Sequence, residues 1–323
     1  MSLVAVIGHD EAGARLDRWL AGRLGAVSRT RIQAAIEMGS VLVDGRPARA
    51  ARRLKAGERV EASVPPPAPE VLEPERVPLV IVHEDSDLLV VDKPAGMVTH
   101  PGAGQPSGTL AAAALAHVPE MGGVGGPRRP GIVHRLDKGT SGLIVLARTQ
   151  RAYDALVGQL ARRQVTRRYL CVVHGAVTRD EGTVDLPIGR DPRSRVKMAV
   201  ARQGRGKRAV THYRVLERLR GFSCLECRLE TGRTHQIRVH LAALGHPVVG
   251  DETYGARRRP APAGGPPGLD EAVAALDGVA LHAAGLAFGH PATGERVEFA
   301  APLPERIERV LRCLRAGPGG RPS

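Results

Sequence analysis

Aromatic side chains are scarce in this chain, and their scarcity excludes one class of nucleic-acid binder. Phe, Trp and Tyr together make up 2% of the 323 residues. A protein that holds single strands mainly by stacking bases on aromatic rings needs a series of such rings. We therefore expect arginine, rather than aromatic stacking, to provide most of the contacts with any nucleic-acid partner.

Cysteine and long apolar runs are also in short supply. The four cysteines, at positions 171, 224, 227 and 313, are too few and too scattered for a disulfide framework in a chain of this length. No run approaches transmembrane length, and the first residues lack the basic start and apolar core of a signal peptide. These absences predict a cytoplasmic protein with reduced thiols and no membrane contact.

Motifs for metal ions and organic cofactors are missing as well. Cys224 and Cys227 fall in a predicted strand, where their positions face opposite ways, and no second pair is present to complete a zinc site. His235 and His240 are five residues apart and do not share a helix face as the histidines of HExxH do. No Walker loop and no GxSxG sequence occurs. We predict that the protein uses no metal and no cofactor.

Acidic residues are outnumbered by basic ones, 33 against 47, which leaves a formal net charge of +14. Such an excess favours an anionic partner, and nucleic acid is the usual one. The excess is concentrated near the N-terminus, where positions 15–55 hold ten Lys and Arg but three Asp and Glu. The clustering predicts a phosphate-binding surface rather than a solvated helix face, with Arg29 and Arg31 as candidate contacts.

Local signals predict the domain organisation. Ahead of Gly25, apolar residues recur at helical spacing, and Ser28 is placed to cap a second helix. A short strand then runs into the hairpin signal Asp44-Gly45. Composition divides the chain into a small basic domain (14–64), a stiff Pro-rich linker (65–78), a large domain (79–315) with a Pro-, Gly- and Arg-rich insertion (255–268), and a disordered tail (316–323).

Capping residues predict several helices of the large domain. Thr149 is placed to cap one helix, and Thr234 is placed to cap another that Gly245 ends. A short alanine-rich helix is predicted over residues 109–116. A closing helix is predicted over residues 304–314.

One stretch, residues 131–148, combines a turn, a polar loop and a buried strand in the sequence GIVHRLDKGTSGLIVLAR. The apolar run at 143–147 has the length and composition of a strand that is buried on both faces. Asp137 lies just before it, two residues from Arg135, so that the arginine can help to keep the carboxylate ionised. A carboxylate held beside a rigid strand is a candidate nucleophile. The plain alternative is a loop salt bridge between Asp137 and Arg135.

The string HRLDKGTSGLIVLA resembles the signature of the RluA/RluD family of RNA pseudouridine synthases, and EDSDLLVVDKPAGMVTHPG and GRTHQIRVHL resemble two further blocks of that family. The resemblance covers almost the whole chain and is closest to the RluD type. It implies that Asp137 is the catalytic nucleophile and that Arg238 pairs with it. It also implies that Tyr169 stacks on the target base and takes part in proton transfer. Without the resemblance, Tyr169 would be interpreted as a buried strand residue whose hydroxyl is satisfied.

The same resemblance supplies candidates for contacts with the RNA. Arg135 is expected to fill the vacated base stack or to order the flipped nucleotide. The first segment, RLDRWLA followed by SRTRIQAAIEMGSVLVDG, resembles the small RNA-binding domain named after ribosomal protein S-four. The remaining substrate-binding candidates of the large domain are His134, Thr140 and Ile237.

The family resemblance implies an α+β fold. The catalytic domain is expected to contain a mixed, mostly antiparallel sheet with a cleft across it, beside a small N-terminal α/β RNA-binding domain. The implied activity is an isomerase that converts uridine to pseudouridine, with large-subunit ribosomal RNA as the expected substrate. The glycosidic bond breaks, the base rotates and carbon-5 rejoins the ribose, so that no redox change occurs and no cofactor is required.

Three alternatives stay open at this point. The same chemistry could act on transfer RNA. A non-enzymatic RNA-binding or ribosome-assembly protein would account for the basic module, although not for the set Asp137, Tyr169 and Arg238. A base-excising glycosylase would release free uracil instead of re-attaching it. We expect a monomer, because no exposed heptad or repeat suggests assembly.

Overall fold

The computed structural model describes residues 1–25, 27–64, 71–102, 105–192, 194, 197–201, 204–255 and 266–316. Three predicted segments lie wholly or partly outside the described residues: the first part of the linker (65–70), most of the insertion (256–265) and nearly all of the tail (317–323). The chain divides into two compact units, Met1–Glu70 and Val71–Ser323, and each is described by itself.

The small unit consists of a four-stranded antiparallel sheet and two α-helices. Its elements are β1 (Ser2–Val6), α1 (Leu16–Leu24), α2 (Arg29–Glu37), β2 (Val41–Val43), β3 (Arg46–Pro47) and β4 (Arg59–Ser63). The strands lie in the order β1-β4-β2-β3. The predicted cap of α2 is confirmed, because the side chain of Ser28 accepts a hydrogen bond from the backbone N–H of Arg31. Strand β1 pairs with β4 and extends the sheet N-terminal to the predicted module.

The large unit is built on a nine-stranded sheet. The strands of the large unit are β5 (Val80–Glu84), β6 (Leu88–Lys93), β7 (Ser141–Ala147), β8 (Thr166–His174), β9 (Glu181–Asp185), β10 (Ile188–Arg190), β11 (Met198–Val200), β12 (Val210–Leu219), β13 (Phe222–Leu229), β14 (Leu281–Gly289) and β15 (Arg296–Ala300). The sheet order is β5-β6-β7-β14-β8-β13-β12-β9, β15 also pairs with β14, and β10 and β11 form a separate hairpin. Strands β7 and β14 run parallel while the other pairs run antiparallel. The predicted mixed, mostly antiparallel sheet is confirmed.

Strand β7 is buried along its whole length, as its continuous apolar run predicts. Leu143 and Val145 join a core cluster with Leu156 of the helix that follows. Ile144 and Leu146 join a second cluster, which also contains Tyr169. Because alternate residues of a strand point to opposite faces, β7 has core packing on both sides. It therefore provides a rigid support for the loop before it.

The helices of the large unit are α3 (Leu110–His117), α4 (Gln150–Ala161), α5 (Gln236–Ala243), α6 (Leu269–Ala274) and α7 (Glu305–Ala316). The predicted cap of α4 is confirmed, because Thr149 accepts a hydrogen bond from the N–H of Ala152, and Thr109 caps α3 in the same way through the N–H of Ala112. Within the described residues, no helix is long and apolar enough to cross a membrane.

The predicted cap of α5 is wrong. Thr234 does not cap the helix, because His235 takes a left-handed backbone conformation with φ of 58° and the helix begins after it. The side chain of Gln236 bonds to the preceding loop, since its Oε1 accepts hydrogen bonds from the N–H of Arg233 (3.0 Å) and the hydroxyl of Thr231 (2.7 Å). Gly245 does follow the end of the helix, with φ of 85°.

Candidate active site

The loop that carries Asp137 is anchored on both sides of this residue. The backbone N–H of Leu136 donates to Oγ1 of Thr99 (3.2 Å), and the Thr99 hydroxyl donates to the carbonyl of Leu136 (2.9 Å). On the other side, the N–H of Gly96 donates to the carbonyl of Lys138 (2.9 Å). These bonds connect the loop to the segment after β6, so that the backbone at position 137 is fixed.

Arg238 contacts the Asp137 carboxylate, as the family resemblance implies. Its Nη1 lies 3.4 Å from Oδ2 of Asp137. Its closer partner is Asp251, which accepts from Nε at 2.7 Å and from Nη2 at 2.9 Å. The side chain of Asp251 is fully buried and also accepts from the N–H groups of Thr253 and Tyr254. The sequence did not single out Asp251, because nothing local marks a carboxylate thirteen residues beyond its arginine.

The alternative of an ion pair between Arg135 and Asp137 is not seen among the described residues. Arg135 is exposed, and within the part of the chain that the structure describes it has no hydrogen bond or ion pair with the carboxylate. The interpretation of these two residues as a loop salt bridge is therefore wrong. The position of Asp137 is fixed by Arg238 and by the backbone of its loop, so that the side chain of Arg135 is left for another contact.

His235 is a second basic group that faces Asp137. Its Nε2 lies 3.9 Å from Oδ1 of the carboxylate, and its Nδ1 lies 2.8 Å from the hydroxyl of Tyr254. Burial lowers the pKa of His235, an effect that the Asp137 carboxylate opposes. The sequence drew attention to His235 only as a possible metal ligand, and its place beside the carboxylate depends on the left-handed turn before α5.

Tyr169 enters the site from β8. The residue is buried, with 6% of its surface exposed. Burial raises the pKa of Tyr169, and the nearby Arg167 guanidinium opposes that rise. Among the described residues, none forms a hydrogen bond with its hydroxyl. Tyr169 is thus a buried strand residue whose hydroxyl no described residue satisfies.

These residues line one cavity of about 560 Å³. A volume of this size is typical of pockets for small molecules or single nucleotides. Several arginines that the sequence analysis did not select for the site also line it, among them Arg163, Arg167 and Arg233. The structure brings together all seven site candidates of the large unit: His134, Arg135, Asp137, Thr140, Tyr169, Ile237 and Arg238.

His134 connects the loop to the sheet. Its Nε2 accepts a hydrogen bond from the N–H of Val145 (3.2 Å), which places the proton of the neutral ring on Nδ1. Burial lowers the pKa of His134 to about 3, so the ring is neutral near pH 7. Within the described residues, Nδ1 of His134, Oγ1 of Thr140 and Nε of Arg167 are buried without a partner. These three polar atoms can form hydrogen bonds with a ligand in the cavity once the side chains around it move.

Lys93 is a buried ammonium that the sequence analysis did not select. Its Nζ donates to the carbonyls of Pro94 and Met97, both at 2.8 Å. Burial lowers the pKa of Lys93 to about 7, an effect that the Asp137 carboxylate opposes. These bonds hold the turn after β6, and the same turn is bonded to the loop of Asp137 through the N–H of Gly96.

Comparisons with known proteins show the family of the chain. The family described as RNA pseudouridylate synthase matches residues 87–243, and the S4 domain matches residues 14–60. The chain is 48% identical over 314 residues to the ribosomal large subunit pseudouridine synthase D of Xanthomonas campestris pv. campestris, covering 96% of this chain and 92% of that one. It is 45% identical over 307 residues to the uncharacterized RNA pseudouridine synthase YlyB of Bacillus subtilis, covering 95% and 96%. The chain belongs to the RluA family of RNA pseudouridine synthases.

A solved structure supports the same assignment at the level of the fold. The human RNA pseudouridylate synthase domain containing 1 is similar to this chain with a TM-score of 0.54 and 27% identity, covering 76% of this chain and 97% of that one. This pseudouridine synthase is therefore an isomerase that acts on RNA, and its small unit is an RNA-binding S4 domain.

Arg29 and Arg31, the predicted phosphate contacts, belong to the S4 domain of this synthase. Arg29 is bound within its own unit, since its Nη2 lies 2.6 Å from Oδ2 of the buried Asp17. Arg15 binds the same carboxylate through two hydrogen bonds of 3.1 Å. The side chain of Arg31 is half-buried at the start of α2. Arg29 thus stabilises the S4 domain, and its place at the RNA stays a prediction.

The residues considered as metal ligands do not form a metal site in the part of the chain that the structure describes. In the described ranges, no group of three or more His, Cys, Asp and Glu is arranged to hold a metal ion. The cysteine pair that was weighed as a zinc motif consists of free, buried thiols at Cys224 and Cys227, and Cys171 packs beside the latter with a distance of 3.9 Å between the sulfur atoms. They form part of the hydrophobic core.

Proposed function

We propose that this pseudouridine synthase isomerises specific uridines of large-subunit ribosomal RNA, with Asp137 as its nucleophile. The observation that carries the proposal is the Asp137 carboxylate in a cavity of about 560 Å³, with Arg238 at 3.4 Å. The substrate class is supported by relatives that match this chain over nearly its whole length and whose names specify the ribosomal large subunit.

The reaction exchanges one bond of the base for another. Asp137 attacks either the anomeric carbon of the ribose or the uracil ring, and the bond between N1 and the ribose breaks. The base turns, carbon-5 bonds to the ribose and the carboxylate is released. The proton on carbon-5 leaves and a proton is gained at N1, so that the product is an isomer of the substrate and no oxidation or reduction takes place.

The target uridine has to leave its stack to reach a carboxylate inside a cavity. Arg135 is exposed, lines the cavity and is not bound to Asp137, and these properties support a role in filling the vacated stack. Arg163, Arg167 and Arg233 give the cavity a basic lining that suits the phosphates of the flipped nucleotide. His134, Thr140 and Ile237 line the same space and are the proposed contacts of the base.

Tyr169 is proposed to pack on the flipped base and to take part in proton transfer. Its ring belongs to the main core cluster, which fixes the plane of the ring. Because burial raises the pKa of Tyr169, the hydroxyl carries its proton near pH 7 and can donate to an oxygen of uracil. Arg238 is proposed to orient Asp137 through the contact of its Nη1 with Oδ2.

RNA that carries tritium at carbon-5 of uridine tests the proposal directly. Formation of the new carbon–carbon bond expels this tritium into water. We would incubate the purified protein with labelled large-subunit ribosomal RNA and, in parallel, with labelled transfer RNA. The nucleophile variant is Asp137→Asn, and the matched control is Asp154→Asn, which changes an exposed carboxylate on α4.

The expected result is release of tritium from ribosomal RNA, loss of release with Asp137→Asn at unchanged RNA affinity, and normal release with Asp154→Asn. Release from transfer RNA alone would overturn the substrate class and keep the chemistry. Appearance of free uracil would indicate a glycosylase. Tight RNA binding without release from either RNA would favour the non-enzymatic alternative.

A further inference from the structure

One short turn contacts both basic groups that face the Asp137 carboxylate. The turn is the stretch from Asp251 to Tyr254, which follows the short segment after α5 that pairs with β8 through Val248. Asp251 holds Arg238 through two hydrogen bonds, and Tyr254 lies against His235 through its hydroxyl. Neither Asp251 nor Tyr254 is among the residues that line the cavity. Any effect of the turn on the reaction is therefore transmitted through Arg238 and His235.

The hydrogen bonds of Tyr254 favour one tautomer of His235. The hydroxyl oxygen of Tyr254 accepts from the backbone N–H of Met198 (2.9 Å). Its own proton is then available to Nδ1 of His235, which lies 2.8 Å away. A neutral imidazole with an accepting Nδ1 carries its proton on Nε2. That nitrogen is the one that faces Oδ1 of Asp137, at 3.9 Å.

The backbone of His235 gives independent support for a positioned side chain. Its φ of 58° lies in the left-handed region, which only a few per cent of non-glycine residues adopt, histidine more often than most. Strained conformations of this kind persist where surrounding contacts impose them, and they are common at functional sites. Here the bond to Tyr254 and the neighbouring bonds of Gln236 impose it. The ring of Tyr254 also packs on the guanidinium of Arg238, with 5.1 Å between the Cζ atom and the ring centroid.

We propose that the Asp251–Tyr254 turn and His235 form a positioning unit for the nucleophile, in which Tyr254 directs the Nε2–H of His235 to Oδ1 of Asp137 while Asp251 holds Arg238 on Oδ2. The proposal rests on the proposed role of Asp137. A distance of 3.9 Å is longer than a hydrogen bond, and catalytic contacts of this length shorten when substrate fills the site. With one donor on each oxygen, rotation of the carboxylate is restricted and its orientation towards the substrate is fixed before the attack.

A spectroscopic experiment tests the tautomer without reference to activity. The full-length protein would be labelled with nitrogen-15 in its histidines, and correlation spectra of the ring nitrogens would be recorded for wild type, Tyr254→Phe and His235→Asn. The last variant identifies the signals of His235 among the 12 histidines of the chain. We expect a protonated Nε2 and an unprotonated Nδ1 in wild type, and a shift towards protonated Nδ1 in Tyr254→Phe. A protonated Nδ1 in the wild-type spectrum would overturn the proposal.

Two substitutions of His235 separate positioning from a merely structural role. Glutamine can place an amide N–H where Nε2 stood, whereas asparagine is too short to reach Asp137. Asparagine nevertheless tolerates the left-handed backbone better than glutamine does. A purely structural role therefore predicts a higher single-turnover rate for His235→Asn than for His235→Gln. Positioning of Asp137 predicts a higher rate for His235→Gln.

The readout is the single-turnover rate at saturating enzyme together with the RNA dissociation constant. We expect His235→Gln to retain a rate close to that of wild type, and His235→Asn to lose about 10- to 100-fold in rate at unchanged RNA affinity. Equal rates for the two variants, or a faster His235→Asn, would overturn the proposal. If the wild-type protein itself releases no tritium, the proposed function fails, and the spectra still decide whether Tyr254 sets the tautomer.

Discussion

Asp251 binds Arg238 through two hydrogen bonds of 2.7 and 2.9 Å, and this arrangement leaves a single guanidinium nitrogen for Asp137. The arginine is thus fixed by one carboxylate and presented to another. Since Asp251 is fully buried, while Asp137 lines the cavity, the two carboxylates have different tasks. One keeps the cation in place, and the other faces the cavity in which the proposed reaction takes place.

The first prediction concerns Asp251→Asn. The variant leaves a buried guanidinium without its main carboxylate partner, so we expect the free energy of unfolding to fall by about 3 kcal/mol. The single-turnover rate should fall by about 10- to 100-fold, because Arg238 is no longer held on Asp137. Urea denaturation and tritium release measure the two effects. Asp270→Asn, which alters an exposed carboxylate on α6, is the control, and equal behaviour of the two variants would contradict the prediction.

The second prediction separates the stability and activity effects of Tyr169→Phe. Because the hydroxyl has no hydrogen-bond partner among the described residues, its removal should change the free energy of unfolding by less than about 1 kcal/mol. The rate of tritium release should fall by about 100-fold or more if the hydroxyl transfers a proton. Tyr153→Phe on α4 provides the control. A fall of several kcal/mol in the free energy of unfolding of Tyr169→Phe would show that the hydroxyl has a structural role.

The third prediction concerns pH. Lys93 has a pKa of about 7 in the folded chain, below its ordinary value of 10.5. Between these two values the unfolded chain binds more protons at this residue than the folded chain does, so its contribution to stability increases as the pH rises. Below pH 7 both states carry the charge and the cost of burying it is constant.

We therefore expect the stability of Lys93→Met relative to wild type to fall by about 3 kcal/mol between pH 7 and pH 9.5. Chemical denaturation at the two pH values gives this difference directly, and comparison with wild type cancels the other groups that titrate in the same range. Lys138→Met is the control, because this neighbouring lysine is exposed. A difference that does not depend on pH would rule out a titrating Lys93.

The fourth prediction concerns the salt dependence of RNA binding. Arg18, Arg46 and Arg49 are exposed in the S4 domain. If each contacts a phosphate, replacing all three by glutamine should reduce the slope of log affinity against log salt concentration by about 2 to 3. The control replaces three exposed arginines of the large unit, Arg179, Arg220 and Arg309, and so removes the same charge. Equal slopes for the two variants would mean that net charge, not local contact, controls binding.

The elements that the sequence predicted are those with local causes. Thr109 and Thr149 bond to backbone groups within the next turn, and the apolar run of β7 is contiguous. The start of α5 was predicted wrongly because His235 takes a left-handed backbone conformation and Gln236, from inside the helix, accepts hydrogen bonds from the loop before it, so that the helix begins after Thr234. A side chain that folds back in this way leaves no pattern of spacing in the sequence.

The candidate site was likewise predicted where the signal is local in the sequence and missed where it depends on distant contacts. A recognisable string of residues pointed to Asp137, and it lies in the cavity that the other candidates line. Asp251 and Tyr254 were missed because their importance comes from contacts with α5 that only the folded chain provides. Lys93 was missed because a lysine at the end of a strand is usually exposed, and its burial depends on the carbonyls of the turn that follows.

The parallel pairing of β7 with β14 has a consequence for biosynthesis. Ser141 and Gly142, directly after the loop of Asp137, pair with His282 and Ala283, and the N–H of Val279 donates to the carbonyl of Gly139. Translation must therefore proceed through β14 before the nucleophile can be locked in place. A product that stops short of β14 would contain the whole S4 domain and yet lack these contacts. The order of the chain thus makes an RNA-binding segment available well before an active site exists.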